Sequence, residues 1–219
     1  MLKDNSSVIL FANGDLPKPE NLRAQLHPAD TLIAVDGGLR HIVSLGLIPD
    51  LILGDLDSAS PEDVQRFQAQ GVPLRRYPMD KNETDLELGI EAALAHNPSA
   101  IRIAGAIGGR LDQTLGNIFL LTQPALEGLD VRLLDGAQEV FLVRDQAALV
   151  GQPGQTVSLL PLLGPVTGVT TNQLAFPLNH ETLYPDQTRG ISNRMIAATA
   201  SVSIDNGILL CIHTFNETQ

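Results

Sequence analysis

Through the first part of the chain, short apolar runs alternate with stretches whose apolar positions recur at helical spacing. The runs are Val8–Ala12, Leu32–Val35, Leu51–Leu53, Leu74–Tyr77, Ala100–Ala104 and Val131–Leu134. Runs of this kind without strict alternation are what strands buried on both faces look like, and helices between them supply the covering layers of a parallel sheet. Ser60-Pro61, followed by Glu62 and Asp63, predicts a helix over 61–70, since proline presets φ and the acids favour the positive end of the helix dipole. Thr84 with Glu87 makes a capping-box pattern ahead of Leu86, Leu88, Ile90, Ala93 and Leu94, which predicts a second helix there.

Beyond about Gly136 the pattern changes. Thr156–Leu160, Val166–Thr171, Ala197–Ile204 and Gly207–His213 follow one another with no helical stretch between them. Pro153-Gly154, Gly164-Pro165 and Asp205-Asn206-Gly207 mark the turns, and Asn206-Gly207 predicts a hairpin joining two paired strands. The expected organisation is an α/β domain over 1–137 followed by an all-β domain over 138–219, a β-sandwich.

Composition narrows the partners. Lys and Arg number 14 against 25 Asp and Glu, a net charge of −11, so the field would repel a nucleic-acid backbone. An anionic ligand is compatible with this balance if a metal ion supplies positive charge. The single cysteine, Cys211, has no partner for an intramolecular disulfide and sits in the apolar run 207–212, where a buried thiol is expected. After a polar start, Val8–Ala12 is too short for the core of a signal peptide or a membrane span, so a cytoplasmic protein with no membrane partner is expected. Without secretion, the glycosylation-like triplets Asn82-Glu83-Thr84 and Asn216-Glu217-Thr218 carry no meaning.

In open parallel sheets, ligands bind beyond the carboxyl ends of the strands, and polar clusters stand there. They are Asn13-Gly14-Asp15, Asp36-Gly37-Gly38, Gly54-Asp55-Leu56-Asp57-Ser58, Asp80–Asp85 and Gly105–Asp112. Each aspartate taken alone is equally a turn residue or a cap, and Asp85 equally serves the helix dipole. Turn chemistry does not account for their coincidence on one rim beside glycines. Converging carboxylates repel one another unless a cation neutralises them. Oxygen donors without a Cys or His pattern indicate Mg²⁺. Asp55 and Asp57, two apart on an extended loop, would face one ion. Gly37, Gly38, Gly108 and Gly109 would let backbone N–H groups approach phosphate, with Arg110 as a charged clamp. His27, His41, His96, His180 and His213 show no ligand spacing and are expected at the surface or in the core. No Walker sequence or Gly-x-Gly-x-x-Gly fingerprint occurs, which disfavours P-loop kinases and dinucleotide enzymes.

Taken in order, Asp36-Gly37-Gly38, Pro49-Asp50 leading to Gly54–Ser58, Thr84-Asp85, and Gly108-Gly109-Arg110-x-Asp112 ending near Asn117 resemble the motif set of thiamine pyrophosphokinases. In the second part, Thr170-Thr171, Leu174, Phe176-Pro177-Leu178 and Ser192-Asn193 resemble that family's thiamine-side segments. The resemblance implies a Rossmann-like domain followed by a β-sandwich, in a homodimer with active sites built by both subunits. It implies transfer of pyrophosphate from ATP to the thiamine hydroxyl, releasing AMP. Asp55, Asp57 and Asp85 would be the catalytic and Mg²⁺-binding carboxylates, with Asp57 and Asp85 both open as the base and Asp36 and Asp112 nearby on the ATP side. Phe176, Ser192 and Asn193 would bind thiamine, although Phe176 could equally plug the sandwich core. The chain departs from the family at Asn82, where an acid is usual, at Gln113, where histidine is usual, at Phe176, often Trp or Tyr, and over 172–175. Two other functions stay open: a pyrophosphokinase for another hydroxymethyl heterocycle such as a pterin, and a non-catalytic nucleotide-binding relative.

Overall fold

The computed structural model describes residues 7–215; the polar stretch 1–6 and the Asn216-Glu217-Thr218 triplet lie outside the described residues. The chain divides between Gly136 and Ala137 into two units.

The first unit alternates strands and helices: β1 (Ser7–Phe11), α1 (Pro19–Arg23), β2 (Thr31–Val35), α2 (Leu39–Ser44), β3 (Leu51–Gly54), α3 (Pro61–Ala69), β4 (Leu74–Arg76), α4 (Asp85–Leu94), β5 (Ala100–Ala104), α5 (Leu111–Leu120) and β6 (Asp130–Leu134). All pairings among these strands are parallel, in the order β6-β5-β1-β2-β3-β4. The chain runs outward from β1 to β4, then crosses back to β5 on the other flank of β1. The order therefore reverses at β1 and β5, where a crevice opens at the carboxyl ends. Alternate residues explain the double burial. Ile9, Phe11, Leu32, Ala34 and Ile52 pack with Leu22 of α1, Leu39 and Ile42 of α2, and Val64 and Phe67 of α3. On the opposite face, α4 comes so near that a Cβ on Gly89 would sit 2.8 Å from Val35 Cγ2.

Both helix starts form where the sequence put them. Ser60 Oγ accepts from the Asp63 N–H at 3.3 Å with Pro61 opening α3, and Thr84 Oγ1 accepts from the Glu87 N–H at 3.2 Å. On α4 Glu87 Oε1 accepts from Gln123 Nε2 at 3.3 Å, so the side chain that would close the capping box is engaged with another segment. β4 is an edge strand: Arg75 and Arg76 are exposed, contrary to the expectation of burial on both faces.

The second unit comprises β7 (Gln138–Val143), β8 (Gln146–Val150), β9 (Thr156–Pro161), β10 (Val166–Asn172), β11 (Glu181–Leu183), β12 (Asn193–Arg194), β13 (Thr199–Ser203) and β14 (Leu209–Thr214). Antiparallel pairings order them as β12-β9-β14-β7 and β11-β10-β13-β8. One core draws on both sheets: Phe141, Val157, Leu159, Leu209 and Cys211 with Leu149, Val166, Val169 and Val202. Cys211 is fully buried and unbridged, as expected. The expected hairpin at Asn206-Gly207 does not form, because β13 and β14 belong to different sheets. The Thr167 N–H donates to Asn206 O and the Asp205 N–H to Thr167 O, so the corner is tied to β10 rather than closed on itself. Gly207 takes φ 107°, which turns the chain from one sheet to the other.

Ser60→Ala would leave the first turn of α3 without its acceptor and is expected to lower stability by about 1 kcal/mol. A urea titration should show a lower midpoint at unchanged slope.

Candidate functional site

Every parallel strand from β1 to β5 delivers its carboxyl-end loop to one cavity of about 550 Å³. From β1 come Asn13, Gly14 and Asp15; from β2, Asp36; from β3, Asp55, Asp57 and Ser58. The β4 loop supplies Lys81, Glu83, Thr84 and Asp85, and the β5 loop Gly105, Ala106, Gly108, Gly109 and Arg110. Gln113 and Asn117 of α5 close one side.

At its centre one carboxylate oxygen from each of Asp36, Asp55 and Asp57 lies within 4.8 Å of the others. The backbone is bent to bring them there. Asp36 takes φ 47° and Leu56 φ 66°, so Asp55 and Asp57 meet across a left-handed residue, not along the extended loop the sequence suggested. Gly54 permits the approach, since a Cβ there would stand 3.0 Å from Asp36 Cβ. Asp55 Oδ1 accepts from the Asp57 N–H at 3.1 Å, and Asp57 Oδ1 from Ser58 Oγ at 2.9 Å. Asp36 is buried, and its Oδ1 accepts from the Ser58 N–H at 3.3 Å. Burial pushes the Asp36 carboxyl above its ordinary value; N–H groups of Gly37 and Ser58 oppose this, and the charges of Asp85 and Asp55 add to it.

Lys81 Nζ lies 3.1 Å from Asp85 Oδ1 and 3.7 Å from Asp55 Oδ2. The contact lacks hydrogen-bond geometry, and Asp85 Oδ1 is buried without a hydrogen-bond partner. A carboxylate set made of oxygen donors alone, with one buried oxygen that has an ion pair but no hydrogen bond, fits a hard divalent cation. Asp36 enters this set beside Asp55 and Asp57, while Asp85 adjoins it through Lys81.

The glycine-rich loop after β5 is pinned from two sides. Asn117 Nδ2 donates to Ala106 O at 2.7 Å and Thr114 Oγ1 to Gly108 O at 3.2 Å. Gly14 N–H donates to Gly105 O at 2.6 Å, while Arg40 Nη2 donates to Asn13 O and Gly14 O at 2.7 and 2.9 Å. His41 Nε2 lies 2.9 Å from Gly14 O, and burial lowers the pKa of its imidazole. Arg110 forms a two-pronged pair with Asp112 at 2.6 and 3.1 Å; that hydrogen bonding holds the Asp112 carboxyl below the usual carboxylate range.

Of the residues singled out by sequence, Asp36, Asp55, Asp57, Asp85, Gly108, Gly109 and Arg110 line the cavity. Gly37, Gly38 and Asp112 are not among its lining residues. Close packing accounts for Gly38, where a Cβ would fall 1.8 Å from Phe11 O, and for Gly37, which lies against the Asn13 amide. Asn82 is exposed and does not line the cavity. Asn13 and Lys81 stood in the strand-end clusters of the sequence without a role of their own, and His41, expected at the surface or in the core, is buried beside the loop; the position of Lys81, four residues before Asp85 at a helix start, was the signal available for it.

In the second unit Phe176, Ser192 and Asn193 come together. The Phe176 N–H donates to Asn193 Oδ1 at 2.9 Å and Asn193 Nδ2 donates to Phe176 O at 2.6 Å. Asn193 is buried, Ser192 takes φ 58°, and Phe176 is 54% exposed. The ring is therefore not a plug of the core.

Two family models match the chain: "Thiamin pyrophosphokinase, catalytic domain" over 22–133 and "Thiamin pyrophosphokinase, vitamin B1 binding domain" over 144–209. Thiamine pyrophosphokinase of Bacillus subtilis (strain 168) is 30% identical over 184 residues, spanning 83% of this chain and 86% of that one. A crystal structure of thiamine pyrophosphokinase from Bacillus subtilis superposes with a TM-score of 0.86 at 26% identity, covering 96% of this chain and 99% of that one. Thiamin pyrophosphokinase from Candida albicans shares the fold, with a TM-score of 0.81 at 19% identity over 96% and 90% of the two chains.

Asp36→Asn keeps an acceptor for the Ser58 N–H, suits a positive φ and removes a buried charge. A carboxyl whose folded-state pKa is raised opposes folding once ionised, so the variant should melt above the parent at pH 7 in EDTA. The advantage should shrink as pH falls from the raised folded value toward the ordinary 3.8, below which both side chains are neutral. Melting curves from pH 7 to pH 3.5 check the sign.

Proposed function

The chain belongs to the thiamine pyrophosphokinase family, and from that premise we propose that the acidic cavity is where ATP yields its pyrophosphoryl group to the thiamine hydroxyl. The observation that carries the placement is the meeting of Asp36, Asp55 and Asp57 oxygens within 4.8 Å at the carboxyl ends of parallel strands. An enzyme for another hydroxymethyl heterocycle is not favoured, since the vitamin B1 binding model matches residues 144–209.

A divalent cation, which we read as Mg²⁺ from the all-oxygen donor set, would be held by Asp36, Asp55 and Asp57 with Asp85 beside them. It would neutralise triphosphate charge and make the β-phosphorus accessible to attack. Gly108 and Gly109 would present backbone N–H groups to phosphate oxygens, and Arg110 can exchange Asp112 for a phosphate with the same planar fork. The thiamine oxygen forms its bond to the β-phosphorus as the bond between that phosphorus and the α–β bridging oxygen breaks. AMP leaves, and the hydroxyl proton passes to a rim carboxylate, Asp57 or Asp85. Most of the catalysis is positioning and charge neutralisation.

On the thiamine side, the exposed ring of Phe176 offers an aromatic face to a cationic thiazolium. Asn193 clamps the Phe176 backbone, and Ser192 lies beside it. We read the first unit as Rossmann-like and the second as a β-sandwich, because its single core is shared by two antiparallel sheets. A homodimer with sites drawing on both subunits, and a cytoplasmic location, complete the proposal. Among the described residues no helix is long and apolar enough to cross a membrane.

Incubation with MgATP and thiamine should produce thiamine pyrophosphate and AMP in equal amounts, stop with EDTA and resume with added Mg²⁺. ADP as the stoichiometric product would exclude the reaction. Asp55→Asn and Asp57→Asn should each lower kcat/KM by about a hundredfold or more with little change in melting temperature.

Phe176→Ala should raise KM for thiamine well above any change for ATP, while Phe176→Trp should be tolerated. Equal effects on the two substrates would place the ring outside the thiamine pocket.

A further inference from the structure

Four carboxylates, Asp36, Asp55, Asp57 and Asp85, share the rim with one ammonium group that the chain supplies from within. Lys81 is buried to an extent unusual for lysine, its side chain 10% exposed, whereas lysines ordinarily keep the charged head in water. Nζ donates to Pro78 O at 3.1 Å. Its remaining capacity is directed at Asp85 and Asp55, 3.1 and 3.7 Å away.

We propose that Lys81 is the resident counter-cation of this rim: its ammonium holds Asp55 and Asp85 together when no divalent ion is bound, and competes with that ion when it arrives. The inference rests on the functional reading above for the presence of a divalent ion. Without Lys81, the repulsion between Asp55 and Asp85 loses its ammonium compensation. With it, the ion enters a site already partly neutralised, so its apparent affinity is reduced by the fraction of molecules with the ammonium in place. The pairing with Asp85 is a single 3.1 Å ion contact, unlike the two-pronged pair of Arg110 with Asp112.

A purely structural lysine would tie the 78–85 turn equally well with or without metal. The two roles therefore separate in an experiment on the full chain without nucleotide. Melting temperature is followed in EDTA and across a Mg²⁺ titration, and Mg²⁺ affinity is measured by calorimetry, for the parent, Lys81→Met, Lys81→Gln and Lys81→Arg. Lys81→Met should melt about 3 °C lower in EDTA and regain most of that loss at saturating Mg²⁺. Its apparent Kd for Mg²⁺ should fall about fivefold, and Lys81→Arg, which keeps the charge, should stay near the parent. An equal loss of melting temperature in both conditions, or an unchanged or weaker Mg²⁺ affinity, would overturn the counter-cation role. If Lys81→Met does not fold, Lys81→Gln decides by the same affinity criterion. A parent protein that shows no response to Mg²⁺ would instead overturn the metal reading, and this inference with it. A parent that responds while the neutral variants match it would sink this inference alone.

Discussion

Like charges gathered on one rim set the terms for the rest of the molecule. Carboxylates within 4.8 Å of each other repel, and burial of one of them raises the energy of its ionised form further. Nothing in the stability of a parallel sheet calls for this arrangement. The chain nonetheless bends its backbone to make it, with Asp36 and Leu56 at positive φ and Gly54 kept free of a Cβ that would press on Asp36. Strain of about 1–3 kcal/mol at such a position persists where the surroundings over-determine it. Here they do: β2 and β3 hold the starts of the acidic loops and α2 and α3 their far ends, and the Ser58 and Asp57 N–H groups bond inward to carboxylate oxygens. The sheet acts as the rigid frame against which repulsion is held.

Much of that frame was readable in the residues. The apolar runs became β1 to β6 within a residue or two, since continuous burial on a parallel sheet leaves a plain mark on sequence. Ser60 and Thr84 became caps because a side-chain oxygen beside free N–H groups is a local matter. Features that depended on distant partners were less visible. Asn206-Gly207 has the chemistry of a tight hairpin, but the backbone around it bonds to Thr167 and the two strands go to different sheets. Strands β11 and β12, three and two residues long, are too short to stand out. β4 reads as a core strand until its place at the edge exposes Arg75 and Arg76.

The same distinction runs through the site. Asp36, Asp55, Asp57 and Asp85 were identifiable because each follows a strand, and strand ends in a parallel sheet converge by topology. Gly37 and Gly38 share that location and are closely packed there: a glycine beside an aspartate looks the same in sequence whether it faces a phosphate or a carbonyl such as Phe11 O. Phe176 was ambiguous between core and pocket, and its exposure removes the first possibility. Lys81 stood in a named cluster but was given no role, since a lysine among acidic residues usually signals a solvated surface. Its burial against Asp55 and Asp85 is a tertiary fact.

The charges lining the cavity bear on the form in which the triphosphate proposed to bind there can enter. Six carboxylates line it, from Asp15, Asp36, Asp55, Asp57, Glu83 and Asp85, against the two cations Lys81 and Arg110. Both cations are already engaged, Lys81 with Asp85 and Asp55, Arg110 with Asp112. A bare triphosphate approaching this rim meets charge of its own sign. At roughly 4 Å, each uncompensated pair is unfavourable by about 4 kcal/mol at an effective dielectric constant near 20. Backbone N–H groups of the glycine loop are too weak a counterweight on their own, since a hydrogen bond to a charged group contributes only about 1.5–3 kcal/mol. A divalent cation reverses the sign on both sides, attracted to the carboxylates and to the phosphates together. On the function proposed for this cavity, the acidic rim would therefore favour a metal–triphosphate complex over the free nucleotide, and the same negative field suits thiamine's cationic ring as the second substrate.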